Sequence, residues 1–285
     1  MILDNIVPIF IILIGSVGLI LHTICICCLL KFKTFANCFG YICLCLSITK
    51  ATIICILCFH DLYNFETDIT SAFEITLLKR MVGCIVIYLW SFISLGHLFI
   101  TINRLIAAFF VALYYNKFNK KVSLMYTLSI FLITTIICIP LLDNDCKFYY
   151  NPIFKIFVYL NTPCTFYLDN ILTKYMNMVF LKVSHGKIFT NNSMSTTNKK
   201  ILSKERIFAF QCFFGTVSLA TMNIVFGFME QTTAFSHYSS SITVATLTYL
   251  TSDAVILILC NSEIRKIFTT NIYNKIKTIV CTGQH

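Results

Sequence analysis

The sequence has little charge: 12% of its 285 residues are Asp, Glu, Lys or Arg, whereas 58% are hydrophobic. A soluble domain of this length could not bury so much apolar surface. No segment shows the alternation of a membrane barrel, so an all-α membrane protein is predicted. The sequence also lacks a nucleophile motif and a His/Cys/Asp cluster with metal-ligand spacing. We therefore expect no enzyme, no metal and no cofactor.

Long apolar runs make up most of the chain. Six of them reach about 20 residues, the length with which a helix crosses about 30 Å of hydrocarbon. The seventh is poorer, because Pro163, Asp169 and Asn170 interrupt its approach. This helix either begins near Phe157 with a kink or is short and tilted. The predicted spans are 6–30, 39–59, 81–110, 122–142, 157–181, 207–229 and 239–260, within a membrane domain at 1–262 that precedes a tail at 263–285.

The basic residues are concentrated in alternate gaps between these runs. Sixteen of the 22 lie after the first, third and fifth runs and in the tail, and the other gaps hold most of the acids. Because basic loops stay on the cytoplasmic side, the pattern predicts a seven-helix bundle with the N-terminus outside and the C-terminus inside. The net charge of +10 therefore indicates topology and attraction to anionic membrane lipids. We expect no nucleic-acid partner.

Most of the 15 cysteines lie in predicted spans, where a thiol is a small apolar filler. Only Cys84, Cys146 and Cys164 fall near the outer face, where the environment is oxidising. Cys84 could form a disulfide with either of the other two, and the spacing does not decide between them.

The third run carries a polar stripe that ends in Asn103 and Arg104. Counting back from Arg104 at helical spacing gives Thr101, His97, Ser94, Trp90, Ile87 and Gly83. We expect this stripe to face the interior of the bundle, since polar side chains avoid lipid. Arg104 itself either extends to the lipid headgroups or reaches a cytoplasmic partner.

Lys50 and Asp253 are charged residues well inside the second and the last span. A charge at the centre of a span costs about 2.5–3.5 kcal/mol on insertion scales. Their depths differ by about 6 Å at the helical rise, which a lysine side chain can cover. We expect them to pair as part of an intramembrane polar switch with His22 and His97. The alternative is a Lys50 that stays neutral or extends to the headgroups.

Short segments over most of the chain match one family in the right order. They are 15–22, 39–43, 83, 97–104, 115–117, 164–169, 253 and 261–265. Together with seven spans and the Asn103-Arg104 pair, they resemble the nematode serpentine chemoreceptors of class x (Srx), which are of the rhodopsin-like G-protein-coupled receptor type. His22 and Lys50 depart from the pattern, since such receptors usually carry a small polar or acidic residue at these positions.

The resemblance implies a plasma-membrane receptor of chemosensory neurons that detects an odorant or another small environmental chemical. It also implies coupling to a heterotrimeric G protein through Asn103 and Arg104. The ligand pocket would lie in the outer halves of the spans, where the best local candidates are Ile87, Trp90, Ser91 and Ser94. The alternative function is a small transporter or channel with Lys50, His97 and Asp253 along its path, although no internal repeat supports it.

Overall fold

The structure is a computed structural model that describes residues 2–31, 37–63, 77–109, 114, 120–142, 148–151, 156–159, 215, 217–219, 221–222, 235–261 and 264–265. Five long helices lie in this described part of the chain. They are α1 (Ile2–Lys31), α2 (Cys38–Tyr63), α3 (Leu77–Phe109), α4 (Lys120–Cys138) and α5 (Phe235–Cys260).

Each of the five helices contains a stretch long and apolar enough to cross a membrane. The stretches are Val7–Lys31, Cys38–Phe59, Met81–Arg104, Lys121–Cys138 and Ile242–Leu259. Large apolar side chains on their outer faces are exposed, for example Ile20 at 60% and Phe59 at 76%. Lipid tails are the natural surroundings of such side chains. The protein is therefore a helical, multi-pass membrane protein.

The helix α1 packs against both α2 and α5, and α3 packs against α2 and α4. Gly18 lies at a close approach of α1 to both α2 and α5. A Cβ atom at this position would lie 2.6 Å from Thr251 Oγ1 and 2.9 Å from Ile54 Cδ1, so a larger residue would require these side chains or α1 to shift. Small residues commonly let membrane helices approach in this way.

The helix α4 ends just before Pro140, and a 3-10 turn follows at Ile139–Leu142. Proline cannot donate a backbone hydrogen bond, so it commonly ends a helix. The predicted span at 122–142 therefore combines a helix with this short turn. The other predicted spans at 6–30, 39–59, 81–110 and 239–260 overlap α1, α2, α3 and α5.

An antiparallel hairpin joins β1 (Phe148–Asn151) to β2 (Ile156–Tyr159), with Phe148 opposite Tyr159 and Asn151 opposite Ile156. The hairpin contacts α3 and α5. The predicted start of the fifth span near Phe157 is therefore wrong, because 157–159 form a strand. Their β-branched and aromatic residues favour a paired strand. The rest of that span, 160–181, lies outside the described residues, and so does most of the span at 207–229.

A buried polar cluster and the arginine end of the third helix

Lys50 is completely buried between three helices. Its ammonium donates to Asp253 Oδ2 of α5 at 2.5 Å and to His97 Nε2 of α3 at 2.9 Å. The structure therefore brings together three of the four residues that we assigned to the polar switch. We call Lys50, His97 and Asp253 the polar cluster.

The buried face of α2 explains why Lys50 points inward. Buried residues recur along this helix at intervals of three and four, as expected for one face of a helix. Those residues are Phe39, Ile42, Cys43, Leu46, Ser47, Lys50, Ile53, Ile54 and Leu57, and Cys38 and Thr49 are buried as well. A lysine on this face must find an acceptor within the bundle, because an unpaired buried charge is expensive.

The hydrogen bonds determine which nitrogen of His97 carries a proton. An ammonium group only donates, so His97 Nε2 must accept from Lys50 and the ring is neutral, with its proton on Nδ1. The separation of 3.8 Å between His97 Nε2 and Asp253 Oδ1 is consequently not an ion pair. The polar cluster holds one positive and one negative charge and is neutral as a whole.

His22 is buried at 1% exposure and lies beside the polar cluster. Its Nε2 donates to the carbonyl of Leu250 at 3.0 Å, so Nε2 carries the proton in this tautomer. His22 Nδ1 has no hydrogen-bond partner among the described residues. The residue connects α1 to the backbone of α5, one turn away from Asp253.

Tyr249 belongs to the same region, although it is not among the predicted site residues. Its hydroxyl lies 3.5 Å from His97 Nε2, and its ring centre lies 5.8 Å from Lys50 Nζ. The ring also meets Trp90 edge-on, with 6.0 Å between the ring centres. Tyr249 thus contacts both the polar cluster and a predicted pocket residue. An aromatic residue in an apolar span gives no signal that would have identified it.

Gly215 lies against the polar cluster from the region of the predicted sixth span. A Cβ atom here would be 3.1 Å from His97 Cε1 and 3.3 Å from Asp253 Oδ1. These distances are tighter than ordinary contact, so a side chain would displace the histidine or the carboxylate. A glycine in an apolar run gives no signal in the sequence either.

The four predicted pocket residues lie on the interior side of α3. Ile87, Ser91 and Ser94 are buried, and Trp90 is half-buried. The Ser91 hydroxyl donates to the Ile87 carbonyl at 2.8 Å. Such a bond satisfies the serine within its own helix. A ligand-binding role for these residues remains a prediction.

Arg104 lies in the second-last turn of α3 and is only 4% exposed. Its guanidinium carbon lies 3.9 Å from the centre of the Phe39 ring of α2. This is the geometry of a stacked cation–π contact. In this conformation Arg104 therefore does not extend to the lipid headgroups. Asn103 is fully buried, and neither side-chain polar atom has a hydrogen-bond partner among the described residues.

Cys84 is half-buried near the opposite end of α3. Its predicted partners, Cys146 and Cys164, lie outside the described residues. A disulfide from Cys84 therefore stays a prediction.

These features define a multi-pass helical membrane protein that gathers polar residues inside its bundle and buries an arginine at one end of α3. The model of the family described as serpentine type 7TM GPCR chemoreceptor Srx matches residues 12–261. The chain belongs to this family, and the resemblance identified from short segments is confirmed. The family is one of receptors and not of enzymes. No curated protein matches the chain.

Proposed function

We propose that this protein is a chemosensory receptor that binds a small environmental chemical within its helix bundle and activates a heterotrimeric G protein. The family match over residues 12–261 carries this proposal. In the proposed topology, seven helices cross the plasma membrane of a chemosensory neuron, with the N-terminus outside and residues 263–285 in the cytoplasm. The alternating basic gaps of the sequence support this orientation.

A ligand site near Trp90 is supported by the contacts of this side chain. Trp90 touches Tyr249, and Tyr249 lies next to His97 and Lys50. A ligand that moved the indole ring would thus act on side chains that join α2, α3 and α5. The pocket proposed from Ile87, Trp90, Ser91 and Ser94 offers aromatic and hydroxyl groups without a carboxylate. This composition suits a small neutral or weakly polar molecule.

Arg104 and Asn103 are the proposed contacts to the G protein. Both are buried in the described conformation, so coupling requires a rearrangement that uncovers them. A ligand produces such a change by binding more tightly to the uncovered arrangement than to the covered one. The basic segments 117–121 and 182–206 would meet the same partner and the anionic lipids.

A transporter remains the second candidate, because Lys50, His97 and Asp253 do lie together inside the bundle. Their separations of 2.5–3.8 Å place them in a single layer. A transport path requires groups at successive depths, which these three residues do not supply. The family match also favours the receptor.

The test is expression with a promiscuous G protein, followed by a panel of volatile and water-soluble chemicals. The wild type is compared with Arg104→Ala and with the control Arg265→Ala, whose side chain is exposed and donates to the Leu259 carbonyl at 3.0 Å. Surface staining of the N-terminus is measured for each variant. We expect a response that Arg104→Ala abolishes at equal surface level and that Arg265→Ala retains. An equal response from Arg104→Ala would contradict the coupling role.

A further inference from the structure

The facing sides of α3 and α4 carry side-chain contacts at intervals of one helical turn. The ring centres of Phe92 and Phe131 lie 4.5 Å apart, and the hydroxyl oxygens of Tyr88 and Thr135 lie 3.3 Å apart. A step of four residues moves along a helix by about one turn. Residue numbers rise on α4 as they fall on α3, so the two helices are antiparallel and these contacts fix their register.

The next turn of this series holds two cysteines. Cys84 lies four residues before Tyr88, and Cys138 lies three residues after Thr135, so both thiols continue the facing sides of their helices. Cys84 accordingly acts electrostatically on the Cys138 thiol. Ser91, a predicted pocket residue, also lies within hydrogen-bonding reach of Cys138. The register and these neighbours place the two thiols together at one end of the contact between α3 and α4.

The two cysteines differ in their access to solvent. Cys84 is half-buried and Cys138 is 7% exposed, and both carry thiols in this structure. Cys84 and Arg104 are 20 residues apart, about 30 Å along a helix axis, so the thiols lie at the opposite end of α3 from the arginine. In the topology predicted from the basic gaps this end is the outer one, where the environment is oxidising. A small oxidant therefore has access to Cys84, and Cys138 lies behind it.

The usual spacing of packed helices suits a covalent bond between facing cysteines. Helix axes about 8–10 Å apart, with Cα atoms at a radius of about 2.3 Å, bring directly facing Cα atoms to about 3.5–5.5 Å. A disulfide requires about 4.4–6.8 Å between its Cα atoms, so the two ranges overlap. Two cysteines that face each other across α3 and α4 can therefore be bonded by a small adjustment of the helices.

We propose that Cys84 and Cys138 form a redox site, in which a peroxide produces a disulfide between α3 and α4 and a thiol reductant restores both thiols. The Cys84 thiol loses its proton, its sulfur attacks one oxygen of hydrogen peroxide, and the O–O bond breaks to give a sulfenic acid and one water. The Cys138 sulfur then attacks the Cys84 sulfur, the S–O bond breaks, and the departing hydroxyl takes the Cys138 proton as a second water. The thiols lose two electrons, and one hydrogen peroxide becomes two waters. This site goes beyond the proposed receptor function and does not depend on it.

The test uses the full chain in permeabilised membranes, which are first reduced with a phosphine, then washed and treated with hydrogen peroxide. The remaining thiols are alkylated, and mass spectrometry of the proteolytic peptides measures which cysteines are linked. We expect the peptide that links Cys84 to Cys138 to be about tenfold more abundant than any other peptide linked through Cys84, because a facing thiol has the highest effective concentration. Dithiothreitol added after the peroxide should remove this linked peptide.

Cys84→Ser and Cys138→Ser are the test variants, and Cys55→Ser is the matched control, since Cys55 is an exposed thiol on α2. Only the control should retain the linked peptide. A main product that joins Cys84 to Cys146 or Cys164 would overturn the proposal. Oxidation of Cys84 to a sulfinic acid without any link would also overturn it, because the two thiols would then be too far apart. An equal yield of the link from protein denatured before the peroxide would do the same, since the link would not depend on the fold.

The second measurement is the thermal unfolding midpoint of the solubilised protein with and without peroxide. A disulfide between Cys84 and Cys138 closes a loop of about 55 residues and so restricts the unfolded chain. We expect peroxide to raise the midpoint of the wild type and of Cys55→Ser by about 5 °C. The midpoint of Cys138→Ser should not change. An equal rise in Cys138→Ser would overturn the proposal, because oxidation elsewhere in the chain would then account for it.

Discussion

Lys50 and Arg104 are two buried cations that the chain stabilises in different ways. Lys50 is fully buried and meets a carboxylate and a neutral imidazole, at 2.5 Å and 2.9 Å. Arg104 is 4% exposed and stacks on an aromatic ring at 3.9 Å. The first arrangement joins α2, α3 and α5 by directional bonds. The Arg104 arrangement joins α3 to α2 through a stacking contact that depends little on direction.

The two arrangements differ in what it costs to break them. Removing one partner of a buried ion pair costs about 3–5 kcal/mol, because a charge is left without compensation. A desolvated cation–π contact is worth about 2 kcal/mol. We call the polar cluster the fixed layer, because its ion pair is the more expensive of these two contacts to break. The fixed layer and the arginine end share α2.

The largest effect is expected from breaking the polar cluster. Lys50→Met leaves the Asp253 carboxylate without its cation, and Asp253→Asn leaves the ammonium without its anion. Asp253→Asn should destabilise the folded protein by about 3–5 kcal/mol, because the ammonium it leaves unpaired is fully buried. Lys50→Met should cost less, because the Asp253 side chain is 19% exposed. Both changes should reduce the fraction at the cell surface. The double variant Lys50→Met/Asp253→Asn removes both charges and should recover part of this loss. Surface staining and size-exclusion profiles of the detergent-solubilised protein measure the loss in each single variant and the recovery in the double variant.

Ile48→Met is the matched control for this cycle, since Ile48 is 47% exposed on the same helix and the change introduces the same residue. It should leave the surface level unchanged. Strictly additive losses in the double variant would show that the two charges do not depend on each other, and the contrast between Lys50 and Arg104 would then fail.

A smaller effect is expected at His22, where the question is whether α1 belongs to the fixed layer. His22→Leu removes the hydrogen bond to the Leu250 carbonyl and should cost about 1 kcal/mol, the usual net value of such a bond. Thr23→Val is the control, because the exposed Thr23 hydroxyl bonds only within α1, to the Leu19 carbonyl at 2.7 Å in the described contacts. A thermal unfolding midpoint lowered by His22→Leu and not by Thr23→Val would place α1 in the fixed layer. Equal unfolding midpoints for His22→Leu and Thr23→Val would show that α1 does not belong to the fixed layer.

The sequence predicted the parts of the fold that depend on hydropathy alone. Runs of about 20 apolar residues leave few alternatives to a membrane helix, and all five long helices of the described part overlap such runs. Their ends were less predictable, because a helix can continue beyond the hydrocarbon. The strand at Ile156–Tyr159 was missed because its apolar residues suit a span as well as a strand, and only its pairing with Phe148–Asn151 distinguishes the two.

Within the site, the charged residues could be predicted from the sequence, whereas the aromatic residues and the glycine could not. Lys50 and Asp253 stood out because charges in lipid require partners, and their depths suggested the contact that the structure describes. Phe39, Tyr249 and Gly215 gave no comparable signal. Aromatic residues and glycines are ordinary in apolar helices, and their importance here comes from neighbours far away in the chain, which a single sequence does not reveal.

The smallest effect is expected from Tyr249→Phe, which separates the two kinds of contact within one residue. The hydroxyl lies 3.5 Å from His97 Nε2, at the limit of a hydrogen bond, so its loss should cost about 0.5 kcal/mol or less. The ring remains and keeps its edge-on contact with Trp90. Tyr249→Leu removes the ring as well. Loss of the aromatic pair should add about 0.5–1.5 kcal/mol to the destabilisation that follows from the lost apolar burial. Unfolding midpoints of the solubilised variants measure the difference. If Tyr249→Phe lowered the midpoint as much as Tyr249→Leu, the hydroxyl would belong to the polar cluster. The fixed layer would then include Tyr249, held by a directional hydrogen bond, and would reach Trp90 through the Tyr249 ring.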